Sequence, residues 1–370
     1  MFSKFKLKDY NFTLLILVMI IISIGVVCVN SAKPDYLYKH VAGAITGFVI
    51  MIFLSTVEYS FICKFYVVFY IINIVILGLV LVVGVNVNNA TRWMMIGGSG
   101  GIQFQPSELT KILMIIFVAA LLDKYKRSEA VNTFRCLALY ALSVGFCLLM
   151  IFMEPDLSTT ICLTMVMLVM LYVAGLSYKI IGIALLILIP LAGSFLWYIQ
   201  LPDQKLLQPY QVGRILQFIY PAQYSEDYSQ QNNSIMAIGS GQLLGKGINN
   251  SSIAKVKDSN FISEQQTDFI FSVIGEELGF IGSIIIIAII LAIVLQCIKI
   301  ARRAVDMKGM LIATGMACLI GFQSFINIAV ATGVFPNTGI PLPFISYGLS
   351  SLLSLSIGVG MLLNISLHKE

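Results

Sequence analysis

Hydrophobic positions in this chain gather into long unbroken runs. Neither the alternation of a half-buried strand nor the narrow stripe of a surface helix is dominant. Runs of about the length needed to carry a helix across roughly 30 Å of hydrocarbon recur from near the first residue to near the last. Ten are predicted, at residues 12–29, 41–57, 65–85, 109–122, 134–152, 159–174, 180–199, 269–297, 310–335 and 342–367. The expected architecture is an all-α integral membrane protein of about ten transmembrane helices in one bundle, a single domain over residues 1–370. The first run is too long for a signal-peptide core and is followed by no small-residue cleavage site, so it is expected to stay as an anchor.

The polar intervals between runs are mostly short. The exception is a loop through residues 200–268, between the seventh and eighth predicted helices, rich in Gln, Asn, Ser, Gly and Tyr. Loops of that length in compact proteins usually carry function. Within it, PYQVGRILQFIYP (209–221) has the pattern of an amphipathic helix lying on a membrane surface, with Tyr210 and Arg214 on its polar side. NSIMAIGSGQLLGKG (233–247) carries glycines at 239, 241, 245 and 247, which imply tight turns and close backbone approach. A second polar segment, VNVNNATRWMMIGGSGGIQFQPSE (85–108), reads as a Gly-rich hairpin or turn leading into the fourth predicted helix, with Pro106 placed at that helix's first turn.

Composition agrees with the pattern: 58% of residues are hydrophobic and 11% charged, with a mean hydropathy of +0.93, which excludes a soluble globular domain. Charge placement adds orientation, because cytoplasmic loops of membrane proteins collect Lys and Arg. With both termini inside, Lys4, Lys6, Lys8, Lys64, Lys124, Lys126, Arg127, Arg135, Lys179, Lys299, Arg302, Arg303, Lys308 and Lys369 all fall on the cytoplasmic side. The net charge of +5 reflects that bias and gives no nucleic-acid footprint. The seven cysteines lie in or beside predicted membrane helices and read as small apolar fillers. The two histidines, His40 and His368, are too far apart in sequence to suggest a triad or zinc site.

Ionisable residues at membrane depth are costly and usually do work. Glu108 and Lys111 are spaced to pair on one helix face. Glu154 and Asp156 flank Pro155. Asp156 is placed to cap the helix that follows, and Glu154 has no such structural reason. Glu276 and Glu277 are adjacent and must face different ways. GIPLPFISYGLSS (339–351) sets two prolines, Ser346, Tyr347 and Gly348 at the start of the last predicted helix, a discontinuity of the kind that lines cavities. Asp268 stands where the long loop meets an apolar helix. By the charge topology these residues, with Arg92 and Gln105, share the external side. Cations there (Arg92, Lys111, Arg214) suit an anionic headgroup, and a carboxylate at a partly desolvated boundary suits proton abstraction. This physics reaches an external polar site for an anionic lipid-linked substrate and does not choose between transfer and transport.

The motifs TRWMMIGG, QPSELTK, EPDLSTT, PYQVGRILQF, AIGSGQLLGKG, TDFIFSVIGEELGFIG and PNTGIPLPFISYG, in this order on a ten-helix pattern, resemble the SEDS family of shape, elongation, division and sporulation proteins across essentially the whole chain. The resemblance implies a peptidoglycan glycosyltransferase that polymerises lipid II at the outer face of the cytoplasmic membrane. It places the family's essential aspartate at Asp268. Arg92, Gln105, Glu108, Lys111, Glu154, Arg214, Glu264 and Ser346 are the expected substrate-binding residues. The resemblance also implies a class B penicillin-binding protein as transpeptidase partner and leaves room for a divalent cation, magnesium or manganese, for which the sequence shows no ligand set. Ser263, Gln266, Leu349 and Ser158 depart from common family residues without removing a charge. A lipid II transporter and an inactive scaffold recruiting the transpeptidase are the alternatives. Charges clustered at one end rather than the midplane favour chemistry, and Asp268 speaks against the scaffold.

Overall fold

The computed structural model describes residues 10–87, 90–96, 102–126, 131–201, 209–220, 229–248, 262 and 264–368. Each predicted apolar run coincides with a helix: α1 (Phe12–Ala32), α2 (Leu37–Thr56), α4 (Tyr66–Val83), α5 (Pro106–Lys126), α6 (Phe134–Met153), α7 (Leu157–Val173), α8 (Tyr178–Ile199), α11 (Ile270–Arg302), α12 (Met307–Ala331) and α13 (Leu349–Leu367). Eight are long and apolar enough to cross a membrane. The other two are α7, which has 17 residues, and α5, which carries Glu108, Lys111, Asp123, Lys124 and Lys126. Three shorter helices complete the set: α3 (Tyr59–Lys64), α9 (Pro209–Ile219) and α10 (Ser229–Ser240). The amphipathic segment thus forms the expected helix as α9. Lys4, Lys6, Lys8, Arg127, Lys369, Ser263, glycines 97–101 and the side chains of Tyr210 and Arg214 lie outside the described residues.

The 85–104 interval forms the expected hairpin, extended to three antiparallel strands, β1 (Val85–Val87), β2 (Ala90–Ile96) and β3 (Ile102–Phe104), in that order. Val85 pairs with Trp93 and Met95 with Gln103. Pro106 then opens α5 as its first residue. That helix is buried along most of its length from Pro106 to Asp123, packed among α4, α12 and α13. The pairing of α2 with α13 rests on small residues, as membrane helices without a hydrophobic driving force require: Gly43 and Gly47 face Leu349 and Ser356, and Gly360 faces Met51. By contrast, only Ile199 is buried among the described residues of α8.

Two boundaries differ from expectation for a physical reason. The last helix begins at Leu349, not Leu342, because Pro341 and Pro343 cannot sustain it and the Leu342 amide donates to Ser346 Oγ at 2.8 Å. The eighth predicted run is broken inside α11 at Gly279, where φ is +66° and ψ −164°.

The Gly-rich segment fills that break. Lys246 and Gly247 amides donate to the carbonyls of Glu276 and Glu277 at 2.9 and 3.0 Å, and Phe280 and Ile281 amides donate back to Gln242 and Leu243 at 2.9 and 3.2 Å. Main-chain groups freed by the break are thereby re-paired with another segment, as an apolar bundle demands. Only glycine permits the approach. A Cβ on Gly245 would sit 2.2 Å from the Glu277 carbonyl oxygen, and one on Gly279 would sit 2.3 Å from the Gly245 nitrogen. Glu276 and Glu277 face different ways as expected: Lys246 Nζ lies 2.7 Å from Glu276 Oε1, and Ser31 Oγ donates to Glu277 Oε1 at 2.7 Å.

Gly245→Ala and Gly279→Ala should each lower the thermal unfolding temperature of the detergent-solubilised protein, the left-handed strain alone being worth about 1–3 kcal/mol. Gly239→Ala, where nothing lies within 4 Å of the added Cβ, should be nearly neutral in the same measurement.

Candidate active site

Asp268 ends a tight turn at residues 264–269 that delivers the chain into α11. Glu264 organises the turn from within: its carbonyl accepts from the Thr267 and Phe269 amides, both at 3.3 Å. Its carboxylate accepts from Gln266 Nε2 and Thr267 Oγ1, both at 3.2 Å. Three successive carbonyls then point outward to donors on other elements. Gln266 O takes the Tyr347 amide at 2.8 Å, Thr267 O takes the Ser346 hydroxyl at 2.6 Å, and Asp268 O takes Asn327 Nδ2 at 2.8 Å. Gln265 adds a bond from Nε2 to Ala32 O at the end of α1, 2.9 Å long. The backbone carrying the half-buried Asp268 is therefore held by α1, α12 and the 339–348 loop at once.

A second group forms around the β-hairpin. Arg92 Nη2 on β2 donates to Pro155 O at 2.5 Å, and its guanidinium lies 3.7 Å from Asp156. Gln105 donates from Nε2 to Asp156 Oδ2 at 3.3 Å and from its amide to Ser350 Oγ at 2.9 Å. Asp156 also caps α7 as expected, accepting from the Thr159 amide at 3.1 Å. Glu108 and Lys111 pair at 2.7 Å, with side chains 4% and 3% exposed. The two groups meet through Ser158, whose hydroxyl donates to Thr338 O, and through Ser350, just inside α13. Arg92, Gln105, Glu154, Asp156, Glu264, Asp268 and Ser346 thus gather at one end of the bundle. The described basic residues Lys64, Lys124, Lys126, Arg135, Lys179, Lys299, Arg302, Arg303 and Lys308 sit at the helix ends opposite.

Several expected substrate-binding side chains prove to be occupied inside the protein. Ser346 both donates to Thr267 O and accepts from the Leu342 amide. Glu108 and Lys111 neutralise each other away from solvent. Glu154 is fully buried, with neither carboxylate oxygen hydrogen-bonded. Burial pushes its carboxyl up to about 8, the adjacent Asp156 carboxylate adds to the rise, and Arg92 opposes it. Among the described residues no three His, Cys, Asp or Glu side chains converge as metal ligands, and all seven cysteines are free. Residues not anticipated from sequence include Asn327 and Tyr36. The Tyr36 ring lies 4.5 Å from that of Tyr347, against the Asp268 turn. An amide inside an apolar run was the available signal for Asn327.

Two measurements test this electrostatic arrangement. Because Glu154 holds its proton more tightly when folded, the pH-dependent part of its burial cost vanishes below about pH 4.5. The cost grows as pH rises toward 8, by about 1.4 kcal/mol per pH unit. Glu154→Gln should therefore match the wild-type unfolding temperature near pH 4.5 and exceed it at pH 8. Lys111→Met should cost about 3–5 kcal/mol by leaving Glu108 buried and uncompensated, with Glu108→Gln/Lys111→Met recovering most of that loss in thermal unfolding.

Comparison with known proteins bears on the family and the fold. A family model described as cell cycle protein, FtsW/RodA/SpoVE, matches residues 7–370. A probable peptidoglycan glycosyltransferase FtsW from Trichlorobacter lovleyi is 32% identical, covering 98% of this chain and 95% of its own. Stage V sporulation protein E of Bacillus subtilis is 34% identical over 99% of both. Among solved structures, a chain from a peptidoglycan synthase complex described as coordinating polymerization and crosslinking superposes with a TM-score of 0.80 at 27% identity, covering 96% of this chain and 97% of that one. The rod shape determining protein RodA of Thermus thermophilus gives 0.69 at 25% identity, covering 96% of each chain. With a family match over nearly its full length and a bundle of membrane-crossing helices, this chain is a multi-pass membrane protein and belongs to the FtsW/RodA/SpoVE family.

Proposed function

We propose that this protein polymerises peptidoglycan glycan strands from lipid II, with Asp268 as general base. The observation that carries the reading is the placement of Asp268: a half-buried carboxylate on a turn whose three successive carbonyls are gripped by other elements. Family membership and relatives named as probable peptidoglycan glycosyltransferases support the substrate class.

In the proposed reaction Asp268 takes the proton from the 4-hydroxyl of the acceptor GlcNAc. The freed oxygen pair attacks the anomeric carbon of MurNAc at the reducing end of the growing strand. The bond from that carbon to the pyrophosphate oxygen breaks, undecaprenyl pyrophosphate departs with the electron pair, and the centre inverts to a β-1,4 linkage. The leaving group is already good, so one base suffices where hydrolysis of a glycoside uses two carboxylates. Holding the two substrates in line supplies much of the acceleration, and cations near the leaving pyrophosphate supply the rest. We assign that second task to Arg92 and Arg214. The site faces the extracytoplasmic side, following the charge bias of the helix ends. A class B penicillin-binding protein is the proposed partner, a reading supported by the structural relative described as coordinating polymerization and crosslinking.

Purified protein given labelled lipid II, with and without the partner transpeptidase, should yield glycan strands. Asp268→Ala should lose at least about 10²-fold in rate, the scale of a positioned base, at unchanged thermal stability. Strands made equally by the variant would remove Asp268 from the chemistry. No strands from well-folded wild type with its partner would point to transport or scaffolding.

A further inference from the structure

We propose that Asn327, deep in α12, is a positioning residue that fixes the direction of the Asp268 carboxylate. The inference rests on the reading of Asp268 as general base. Asn327 is 1% exposed. Its Nδ2 donates to two main-chain carbonyls from different segments, Asp268 O at 2.8 Å and Ile340 O at 2.7 Å. Both partners are acceptors only, so they dictate which way the amide faces and consume both of its hydrogens. Its own Oδ1 is left without a hydrogen-bond partner. Burying an amide that is only half satisfied is unfavourable.

The Asp268 carbonyl is not part of the regular ladder of α11. The amide four residues on, Ser272, donates instead to Phe269 O at 2.9 Å. Asn327 supplies a donor to this carbonyl from a separate helix. Since the peptide plane is rigid, holding that oxygen limits rotation of the Asp268 backbone and so of the carboxylate borne on it. α12 is a suitable anchor, being buried among α5, α7 and α11. By gripping Ile340 as well, the same amide ties the 264–268 turn to the loop that carries Ser346 and Tyr347. A displacement of about 1 Å at a reacting group costs about 10²-fold in rate, so a residue that touches neither substrate nor carboxylate can still govern turnover.

The test uses the full-length protein with its partner transpeptidase and labelled lipid II. Asn327→Leu keeps the side-chain volume and removes both donors. Gln323→Leu, one turn earlier on α12 and equally buried, controls for an apolar substitution on that helix. Kinetics are scored per folded molecule, and hydrogen–deuterium exchange of the 262–274 segment is followed in parallel. The expected result for Asn327→Leu is a 10- to 100-fold fall in kcat, KM within about twofold, and faster exchange of the segment. Gln323→Leu should leave all three unchanged. Should Asn327→Leu not fold, Asn327→Ser retains one donor and should show a smaller loss of kcat in the same direction. Unchanged kcat, an equal loss in Gln323→Leu, or loss of kcat without faster exchange would each overturn the proposal. If wild type makes no glycan, the functional reading falls by itself, and the exchange data alone decide whether Asn327 holds the turn.

Discussion

A main-chain amide or carbonyl released inside an apolar bundle has no water to turn to, and this constraint organises the site end of the molecule. Among the described residues the chain leaves helical geometry there at Gly279, across the 264–269 turn and across the 339–348 loop, as well as in the β-hairpin and the 154–156 turn. Each of the first three frees polar groups, and each is answered by a different segment. The break at Gly279 is closed by residues 242–247. The turn is closed by Asn327, Ser346 and Tyr347, and the loop gives its own carbonyl at Ile340 back to Asn327. Irregular backbone is thus confined to where it can be paired, and the carboxylate proposed to do chemistry sits where those pairings are densest.

Charge follows the same logic. Glu108 with Lys111, Glu276 with Lys246, and Arg92 with Asp156 form local ion pairs. Glu154 has no hydrogen-bond partner for its carboxylate, and burial raises its pKa to about 8. Buried pairs of this kind contribute little net stability while making the loss of one partner expensive.

The helices, the hairpin, the α9 helix, the cap at Asp156 and the divergence of Glu276 from Glu277 were legible because each depends on local pattern: run length, glycine content, or spacing of a capping side chain. Asp268 stood out because a carboxylate met an apolar run. What stayed hidden was pairing between distant segments. Nothing near Gly245 announces that it fills a notch at Gly279, and an isolated Asn in an apolar run has no local reason to point at residue 268. Ser346 was read as a substrate contact because a hydroxyl in a broken segment looks available. Only the fold shows it bonded on both sides.

The interlock at Gly279 has a consequence for the order in which the molecule is made. Residues 241–247 are synthesised before α11, so the segment that closes the break is already present when that helix leaves the ribosome. Asn327, Ser346 and Tyr347 come later. The turn bearing Asp268 therefore gains these donors only after α12 and the 339–348 loop have been made. A nascent chain truncated before α12 would lack Asn327, Ser346 and Tyr347 as donors to that turn.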